Sequence, residues 1–224
     1  MSTLFLLGGS GDIGRAVAGH FEARAWTVTA PRHKDLDLED RNSIDRWFRK
    51  HPPQADALVH CAGWNRPKPA GEVTPADLDG ALAVHATGFH WVVRHFLPLF
   101  RKRKSGRVVA VSSIYGLYSR PNRLAYATAK HALNGMVRTL ALELGPLGVN
   151  VNLVSPGFVD TDMTRRNNPP RTLRDLKARV PLGRLAAPEE IAGAVHFLCS
   201  PESSFVHGAN LVVDGGYSIG GFQP

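Results

Sequence analysis

A short apolar strand leads directly into a glycine-rich turn and then into a helix, and this order constrains the fold more than any other feature. The apolar segment Leu4–Leu7 precedes the glycine-rich segment Gly8–Gly14, and apolar residues recur at helical spacing over Arg15–Ala25. A glycine-rich turn in this position lets the backbone approach a pyrophosphate, whose charge is favoured by the free amides and dipole of the helix. The order predicts the start of a dinucleotide-binding fold.

Strands and helices continue to alternate along the rest of the chain. The further predicted strands are Thr27–Ala30, Ala57–Cys61, Val108–Ser112, Val149–Val154 and Asn210–Val213. The further predicted helices are Ser43–Lys50, Ala76–Phe100, Leu124–Leu144 and Pro188–Leu198. An additional short strand is expected to end at Asp37 and Leu38, before a helix that Asn42 or Ser43 caps. The alternation predicts an α/β fold, a single Rossmann-type doubly wound parallel sheet with helices on both faces.

Size and composition favour one domain that spans residues 1–224. With 43% apolar residues the chain can bury a sizeable core, and no stretch approaches the ~18 consecutive apolar residues of a membrane span. The first strand begins near Thr3, which leaves no room for a signal peptide. The two cysteines, Cys61 and Cys199, are too few for a disulfide framework. We therefore expect a cytoplasmic protein with no membrane partner.

The chain is strongly basic, with 27 lysine and arginine residues against 19 aspartate and glutamate residues and a net charge of +8. Such a charge is typical of nucleic-acid-binding proteins. The basic residues concentrate in Arg101–Lys104, at the end of a predicted helix, and in a segment between Arg165 and Arg179. The first group is best explained as a solvated helix terminus. Nucleic-acid binding is therefore the less favoured hypothesis.

Ser113, Tyr126 and Lys130 form a pattern suited to redox chemistry at a carbonyl or alcohol group. Tyr126 and Lys130 are four residues apart, so on a helix their side chains share one face. An ammonium beside the phenol favours phenolate and is expected to move the pKa of Tyr126 toward working pH. Ser113 follows a predicted buried strand, so we expect its hydroxyl at the carboxyl end of the sheet, where parallel sheets bind ligands.

The candidate cofactor residues of the glycine-rich turn are Gly8, Ser10, Gly11, Asp12, Ile13 and Gly14. The choice between NADP and NAD depends on the residues after the second strand, because arginine suits a ribose 2′-phosphate whereas a carboxylate suits a free 2′-hydroxyl. Arg32 and His33 follow that strand and favour NADP over NAD, although Asp35 could serve NAD. Asp37 and Leu38 are expected at the adenine, unless Asp37 caps the following helix.

Several motifs, in matching order and spacing, resemble those of the short-chain dehydrogenase/reductase family from Leu4 to about Ser218. Leu7–Gly14 resembles the family's glycine-rich turn, His60–Gly63 its Asn-x-Ala-Gly strand end, and Pro156–Thr161 its Pro-Gly segment. The later sequences PLGRLAAPEEIAGAVHFL and VDGG are most similar to those of 3-oxoacyl-(acyl-carrier-protein) reductase-like members. Such a set of motifs is specific for the family and uninformative about the substrate.

The resemblance implies roles for the matching residues. Tyr126 would be the general acid/base and Ser113 would hydrogen-bond the reacting oxygen, while Lys130 would lower the pKa of the phenol and hold the nicotinamide ribose. Together with Tyr126 and Lys130, the implied cofactor contacts are Cys61, Ala62, Gly63, Pro156, Gly157, Val159 and Thr161. The expected substrate residues are Ser113, Tyr115, Tyr126 and Phe158, and no metal site is expected.

Three positions depart from the family pattern. His85, in the sequence VHATGF, replaces the family's usual asparagine, which is thought to hold a water molecule that links the lysine to solvent. We count His85 as catalytic because an imidazole can relay protons or fill the space of that water; the alternative is a core histidine with no catalytic part. Asp12 replaces a glycine and adds a carboxylate near the pyrophosphate, unless it caps the helix. His60 replaces an asparagine whose hydrogen bonds tie adjacent strands.

The family covers its substrate with the segment after Thr161, so we expect a lid at about residues 162–180. Its basic residues are Arg165, Arg166, Arg171, Arg174, Lys177 and Arg179. They favour an acidic or phosphorylated substrate, such as an oxoacyl group linked to carrier protein or coenzyme A. The alternative is a solvated flexible lid, with its tip at Asn167–Pro170, over an uncharged ketone.

These features predict an NADP(H)-dependent oxidoreductase that reduces a small-molecule ketone or oxidises a secondary alcohol. The alternative is a dinucleotide-binding redox sensor or basic nucleic-acid-binding protein with little turnover, motivated by His85, Asp12 and His60. The family pairs the helix Leu124–Leu144 between subunits, and the apolar stripe of this helix is larger than one sheet face needs. We therefore expect a homodimer or homotetramer, with Gly215–Pro224 contributing to the interface.

Overall fold

The computed structural model describes residues 2–220, and these contain one six-stranded parallel sheet. The strands are β1 (Thr3–Leu7), β2 (Thr27–Thr29), β3 (Ala57–His60), β4 (Gly106–Val111), β5 (Val149–Pro156) and β6 (Asn210–Val213). They lie in the order β2-β1-β3-β4-β5-β6. The prediction of a doubly wound parallel α/β fold is confirmed.

Helices connect the strands and cover both faces of the sheet. They are α1 (Asp12–Glu22), α2 (Arg41–Lys50), α3 (Pro75–Leu82), α4 (Gly88–Arg103), α5 (Leu124–Leu144), α6 (Asp162–Asn167), α7 (Pro170–Arg179) and α8 (Pro188–Cys199). A π-helical segment, Ala83–Thr87, joins α3 to α4. Within residues 2–220, no helix combines the length and the apolar character needed to cross a membrane.

Side chains that alternate along each strand bury both faces of the sheet. In β1, Phe5 and Leu7 pack into the layer that contains α2, α4 and α5, whereas Leu4 and Leu6 pack against α1 and α8. Burial on two sides explains why the strands are continuous apolar runs in the sequence. The carboxyl ends of the strands meet at one edge of the sheet. Between β1 and β3 the chain reverses the direction in which it crosses the sheet, and open parallel sheets bind their ligands at such a point.

The structure corrects the predicted path between β2 and α2. Asp37 and Leu38 lie in an irregular turn and not in a strand. Leu36 and Leu38 are nevertheless buried in the core, so their apolar spacing reflects packing beneath a loop and not pairing with another strand. The helix begins at Arg41, and its cap is Asp40, which accepts a hydrogen bond from the Asn42 amide at 2.8 Å.

Two further predictions differ from the structure in detail. The helix predicted over Ala76–Phe100 is interrupted by the π-helical segment, which carries His85, and it continues to Arg103. The predicted lid forms two short helices, α6 and α7, which meet at the predicted loop tip. The last four residues of the proposed interface segment Gly215–Pro224 lie outside the described residues.

Candidate active site

Ser113, Tyr126 and Lys130 come together at the carboxyl edge of the sheet. Ser113 follows β4 in extended conformation, and its hydroxyl accepts a hydrogen bond from the Tyr115 amide at 3.1 Å. Tyr126 and Lys130 lie one turn apart on α5, as the spacing predicts. All three line a cavity of about 330 Å³. The same cavity extends to the glycine-rich turn before α1.

The hydrogen bonds of Asn134 hold the turn that carries Ser113. The Ser112 hydroxyl donates to Asn134 Oδ1 at 2.6 Å, and Asn134 Nδ2 donates to the Gly116 carbonyl at 2.8 Å. The Asn134 side chain is buried and lies one turn beyond Lys130 on α5. Sequence reasoning missed this positioning residue, although its spacing of four from Lys130 was available as a signal.

The electrostatics of Tyr126 and Lys130 differ from the sequence-based expectation. Burial raises the pKa of Tyr126 to about 12, against an opposing hydrogen bond with Ser113. Burial also lowers the pKa of Lys130 to about 7. The Lys130 ammonium donates to the Val111 carbonyl at 2.8 Å and lies 5.6 Å from the centroid of the Tyr126 ring. The pKa of the phenol is therefore raised and not lowered, because desolvation disfavours the phenolate more than the hydrogen bond with Ser113 favours it.

His85 forms part of the wall beside Tyr126. Its ring lies edge-on to the Tyr126 ring, with centroids 5.3 Å apart, and its Nε2 lies 2.8 Å from the Trp64 carbonyl oxygen. Burial and the charge of Lys130 hold the pKa of His85 well below its usual value. In the neutral tautomer that donates from Nε2 to Trp64, Nδ1 is an acceptor. This buried Nδ1 has no hydrogen-bond partner among the described residues.

His60 fixes the segment that carries His85. It is fully buried at the end of β3, its ring stacks on Phe89 with centroids 4.8 Å apart, and its Nε2 lies 3.3 Å from the His85 carbonyl oxygen. Burial lowers the pKa of His60 to about 3, so the ring is neutral at physiological pH. A neutral imidazole with its proton on Nε2 therefore links β3 to the π-helical segment.

The glycine-rich turn forms a compact cradle at the start of α1. Gly8 has a φ of +83°, and a Cβ on it would lie 2.4 Å from the Ala62 amide nitrogen. A Cβ on Gly14 would lie 2.0 Å from the Gly8 carbonyl oxygen. The N-cap residue Gly11 has no side chain with which to accept from the first-turn amides, so these amides are available to an anion. These features fit a dinucleotide pyrophosphate.

The carboxylate of Asp12 does not cap α1. It pairs with Arg15 and accepts a hydrogen bond from the Asp162 amide at 2.6 Å, at the start of the lid helix α6. Its charge is thereby shared with a guanidinium and a backbone amide, which reduces its repulsion toward a bound phosphate. Asp12 thus joins the phosphate turn to the lid.

The other predicted cofactor residues also line the cavities at this edge. Those of the first cavity are Ser10, Gly11, Asp12, Ile13, Gly14, Cys61, Ala62, Gly63, Pro156, Gly157, Val159 and Thr161. An adjoining cavity of about 360 Å³ contains Gly8, His33, Asp37 and Leu38 among its lining residues.

Two cations differ in their relation to this second cavity. Arg32 pairs with Asp35 at 3.2 Å, whereas Arg66, which sequence reasoning missed, lines the cavity and lies over the Trp64 ring at 4.6 Å. Asp37 accepts a hydrogen bond from the Glu39 amide at 2.9 Å, and both carboxylates also border the cavity. The cavity therefore presents groups of both signs.

A third, smaller cavity adjoins the first one and shares Ser113 and Tyr126 with it. Its lining includes the predicted substrate residues Tyr115 and Phe158. It also includes Arg120 and Arg123, which sequence reasoning missed because the approach of their loop to the active site depends on the tertiary fold.

Two neighbouring arginines of the lid, Arg165 and Arg166, differ in their surroundings. Arg165 pairs with Asp160 at 2.5 Å and with Asp162 at 2.9 Å, so its charge is balanced by carboxylates just before and at the start of the lid. Arg166 lines the first cavity. The positive charges of the lid segment therefore do not all act on the cavity, because that of Arg165 is neutralised by neighbouring carboxylates.

Comparison with known proteins assigns the chain to a family. The family model described as enoyl-(acyl carrier protein) reductase matches residues 12–218. The chain is 35% identical to the 3-oxoacyl-(acyl-carrier-protein) reductase FabG of Aquifex aeolicus, over 96% of this chain and 87% of that protein. It is 39% identical to a cyclopentanol dehydrogenase of Comamonas testosteroni, over 73% of this chain and 66% of that protein.

A solved structure supports the same assignment. The crystal structure of 3-oxoacyl-(acyl-carrier protein) reductase from Brucella melitensis matches with a TM-score of 0.89 at 27% identity, covering 96% of this chain and 91% of that chain. Fold, site and sequence similarity agree over nearly the whole chain. The chain therefore belongs to the short-chain dehydrogenase/reductase family, oxidoreductases that act on CH–OH and C=O groups with a nicotinamide dinucleotide.

Proposed function

We propose that the protein is an NADP(H)-dependent oxidoreductase that reduces a ketone, or oxidises the corresponding secondary alcohol, with Tyr126 as general acid/base. The main support is that one cavity is lined both by the glycine-rich turn and by Ser113, Tyr126 and Lys130. A cofactor whose pyrophosphate lies on the turn can therefore extend toward the phenol. When bound, the nicotinamide supplies or accepts the hydride.

The side chains of the site hold and move the proton. At neutral pH a phenol with a pKa of about 12 is protonated, which is the form that can donate to a carbonyl oxygen during reduction. The Ser113 hydroxyl, which lines the same cavity, would hydrogen-bond the same oxygen. Lys130, with a pKa of about 7, changes its charge close to physiological pH and can favour the phenolate that remains.

The preference for NADP rests on the cations near the second cavity. His33 and Arg66 line this cavity, and Arg32 lies one residue before His33. A ribose 2′-phosphate could draw Arg32 away from Asp35, because phosphate offers more acceptors and more charge than one carboxylate. Asp37 and Glu39 favour NAD in the same place, so both cofactors enter the test.

The substrate is proposed to be a small carbonyl compound, and an oxoacyl thioester is one candidate because of the reductases named above. The chain is further proposed to act as a homodimer or homotetramer paired through α5. Leu124 and Leu142 on this helix are 43% and 81% exposed in the single chain. Such apolar groups favour contact with a second copy of the helix.

Turnover assays test the proposed function directly. The purified protein is assayed for oxidation of NADPH and of NADH with a panel of ketones, oxo acids and oxoacyl thioesters. Tyr126→Phe should bind cofactor with unchanged affinity and lose roughly 10²- to 10⁴-fold in kcat, the usual contribution of a general acid. Wild-type turnover in the variant would contradict the role of Tyr126. Cofactor binding by the wild-type protein without turnover on any substrate would favour a sensor or binding protein.

A further inference from the structure

Arg123 is a buried cation that has no acidic partner in the described part of the chain. Only 5% of its surface is exposed, and its Nε is buried with no hydrogen-bond partner among residues 2–220. Its Nη1 donates to the carbonyl of the neighbouring Asn122 at 3.1 Å. The ion pairs found in the described part of the chain include neither Arg123 nor the nearby Arg120.

Such an arrangement is electrostatically unfavourable in the absence of an anion. A buried charge is stabilised when it is paired and hydrogen-bonded, and leaving it unpaired costs free energy. Burial and the positive charge of Arg120 lower the pKa of Arg123. Two guanidinium groups that repel each other would both gain from a carboxylate between them, since arginine binds carboxylate oxygens through two parallel hydrogen bonds.

The cavity next to these arginines leads directly to the reacting groups. Arg123 immediately precedes α5 and lies three residues before Tyr126, which places the two residues one helical turn apart. Ser113, Tyr126, Arg120 and Arg123 all line the same cavity of about 80 Å³. A ligand that touches the phenol therefore has its other end within reach of both guanidinium groups.

The rest of the cavity lining contains both polar and aromatic side chains. Asn65 Oδ1 is buried without a hydrogen-bond partner among the described residues, and the Asn65 carbonyl accepts from Asn167 Nδ2 at 2.8 Å. Tyr115 and Phe158 also line the cavity, and their ring centroids are 6.5 Å apart. The polar groups suit a small, charged and hydrogen-bonding ligand, and the volume leaves little room for a long acyl chain.

We propose that the substrate carries a carboxylate that binds to Arg123 and Arg120 while its carbonyl group lies at Ser113 and Tyr126. The substrate class is a short-chain oxo acid, or the corresponding hydroxy acid in the oxidising direction. In reduction, the carbonyl carbon accepts hydride from the reduced nicotinamide, the carbonyl oxygen takes the proton of Tyr126, and the carboxylate is unchanged. This inference rests on the proposed function and narrows its substrate to a ketone that also carries a carboxylate group.

The test compares short oxo acids with their methyl esters, which keep the ketone and remove the charge. The wild-type protein should favour the acid over its ester in kcat/KM by at least tenfold, and should favour it over oxoacyl thioesters. Arg123→Met should raise KM for the acid about 100-fold, with little effect on the ester, because a buried charge pair is lost. Arg120→Met should have a smaller effect in the same direction.

Controls separate the loss of charge from the loss of structure. Arg101→Met removes an exposed charge at the end of α4 and should leave the preference for acid unchanged. Arg123→Lys keeps the positive charge and should retain part of the preference. If Arg123→Met fails to fold, as judged by thermal unfolding and NADPH binding, Arg120→Met and Arg123→Lys decide the question.

The outcomes distinguish this inference from the proposed function. Equal turnover of acids and esters by the wild-type protein, an unchanged ratio in Arg123→Met, or faster turnover of thioesters would overturn the carboxylate site and leave the reductase intact. If no ketone is turned over, calorimetric titration of the NADPH-loaded protein with oxo acids decides. Binding that Arg123→Met abolishes and Arg101→Met retains would support the site, and no binding would overturn it.

Discussion

The imidazole of His85 lies edge-on against the phenol of Tyr126, with ring centroids 5.3 Å apart and ring planes at 86°. The contact is an aromatic packing contact, because the Nε2 of His85 is directed to the Trp64 backbone. Burial also disfavours the protonated ring, so proton relay by an imidazolium near neutral pH is not supported. His85 is therefore expected to act by holding the phenol in position.

Replacing His85 with the asparagine that is usual in the family tests this role. His85→Asn keeps a hydrogen-bonding side chain but loses the ring that packs against Tyr126, so kcat should fall or stay unchanged while NADPH affinity is retained. Steady-state kinetics with the best ketone substrate measures the change. A tenfold rise in kcat would show that His85 hinders turnover and would contradict its supporting role.

Gly63 leaves the space that the His85 ring occupies. A Cβ at Gly63 would lie 2.2 Å from His85 Cε1, so Gly63→Ala should displace the ring and lower the free energy of unfolding by about 1–3 kcal/mol. The double variant Gly63→Ala/His85→Ala removes the clash. It should therefore be no less stable than His85→Ala alone in urea unfolding. If the losses in free energy of unfolding add up in the double variant, Gly63→Ala destabilises the protein by some effect other than a clash with the His85 ring.

The buried His60 predicts sensitivity to acid. Its pKa is about 3 in the fold against an ordinary value of 6.5, so between these pH values the unfolded chain binds more protons than the folded protein. The free energy of unfolding should therefore fall as pH falls through this window, by up to about 1.4 kcal/mol per pH unit.

His60→Asn isolates this contribution, because asparagine retains an N–H donor toward the His85 carbonyl and does not titrate. Urea unfolding of the wild-type protein and of the variant, near pH 6 and near pH 4, gives for each protein the slope of the free energy of unfolding against pH. The slope should be smaller in the variant. Equal slopes would assign the acid sensitivity to other groups, among which the buried His85 is the next to test.

The hydrogen bond from the Asp162 amide to Asp12 predicts that the phosphate turn restrains the lid. One such bond contributes about 1 kcal/mol, so Asp12→Gly should speed hydrogen exchange at the Asp162 amide roughly fivefold, whereas Asp12→Asn retains an acceptor and should change it less. Hydrogen-exchange mass spectrometry of the lid peptide measures both. Equal exchange in the wild type and the glycine variant would mean that the bond does not hold the lid.

The exposed apolar residues of α5 predict self-association. Leu142→Glu places charges at the proposed contact between two copies of the helix and should shift the molar mass in light scattering toward the monomer. Phe205→Glu changes a fully exposed apolar residue outside both α5 and the segment Gly215–Pro224, and serves as the matched control. A monomeric wild-type protein, or an oligomer that persists in Leu142→Glu, would contradict pairing through this helix.

The sequence predicted those features that local pattern controls. Strands buried on both faces are continuous apolar runs, and the turn at Gly8 can be recognised because it joins the first strand to the first helix. The strand predicted at Asp37 and Leu38 was wrong because alternating leucines can also enter a core from beneath a loop. The π-helical segment around His85 was not visible because its apolar spacing resembles that of the flanking helices.

The parts of the site that depend on tertiary approach could not be predicted. Asp12 contacts a residue 150 positions away, and no local pattern indicates that partner. Arg123 was overlooked because its burial becomes evident only when the loop before α5 is placed against the cavity. The pKa of Tyr126 was predicted in the wrong direction because the sequence reveals the neighbouring lysine but not the depth of burial.

Transfer of deuterium from the nicotinamide to the product distinguishes hydride reduction from any other route to the alcohol. The protein is incubated with NADPH labelled on the transferring face of C4 and a short oxo acid, and the hydroxy acid formed is analysed by mass spectrometry. Hydride reduction with Tyr126 as the acid predicts one deuterium at the carbinol carbon, and at least a 100-fold slower transfer in Tyr126→Phe at equal cofactor occupancy. Unlabelled product, or transfer at the wild-type rate in Tyr126→Phe, would contradict hydride reduction with Tyr126 as the acid.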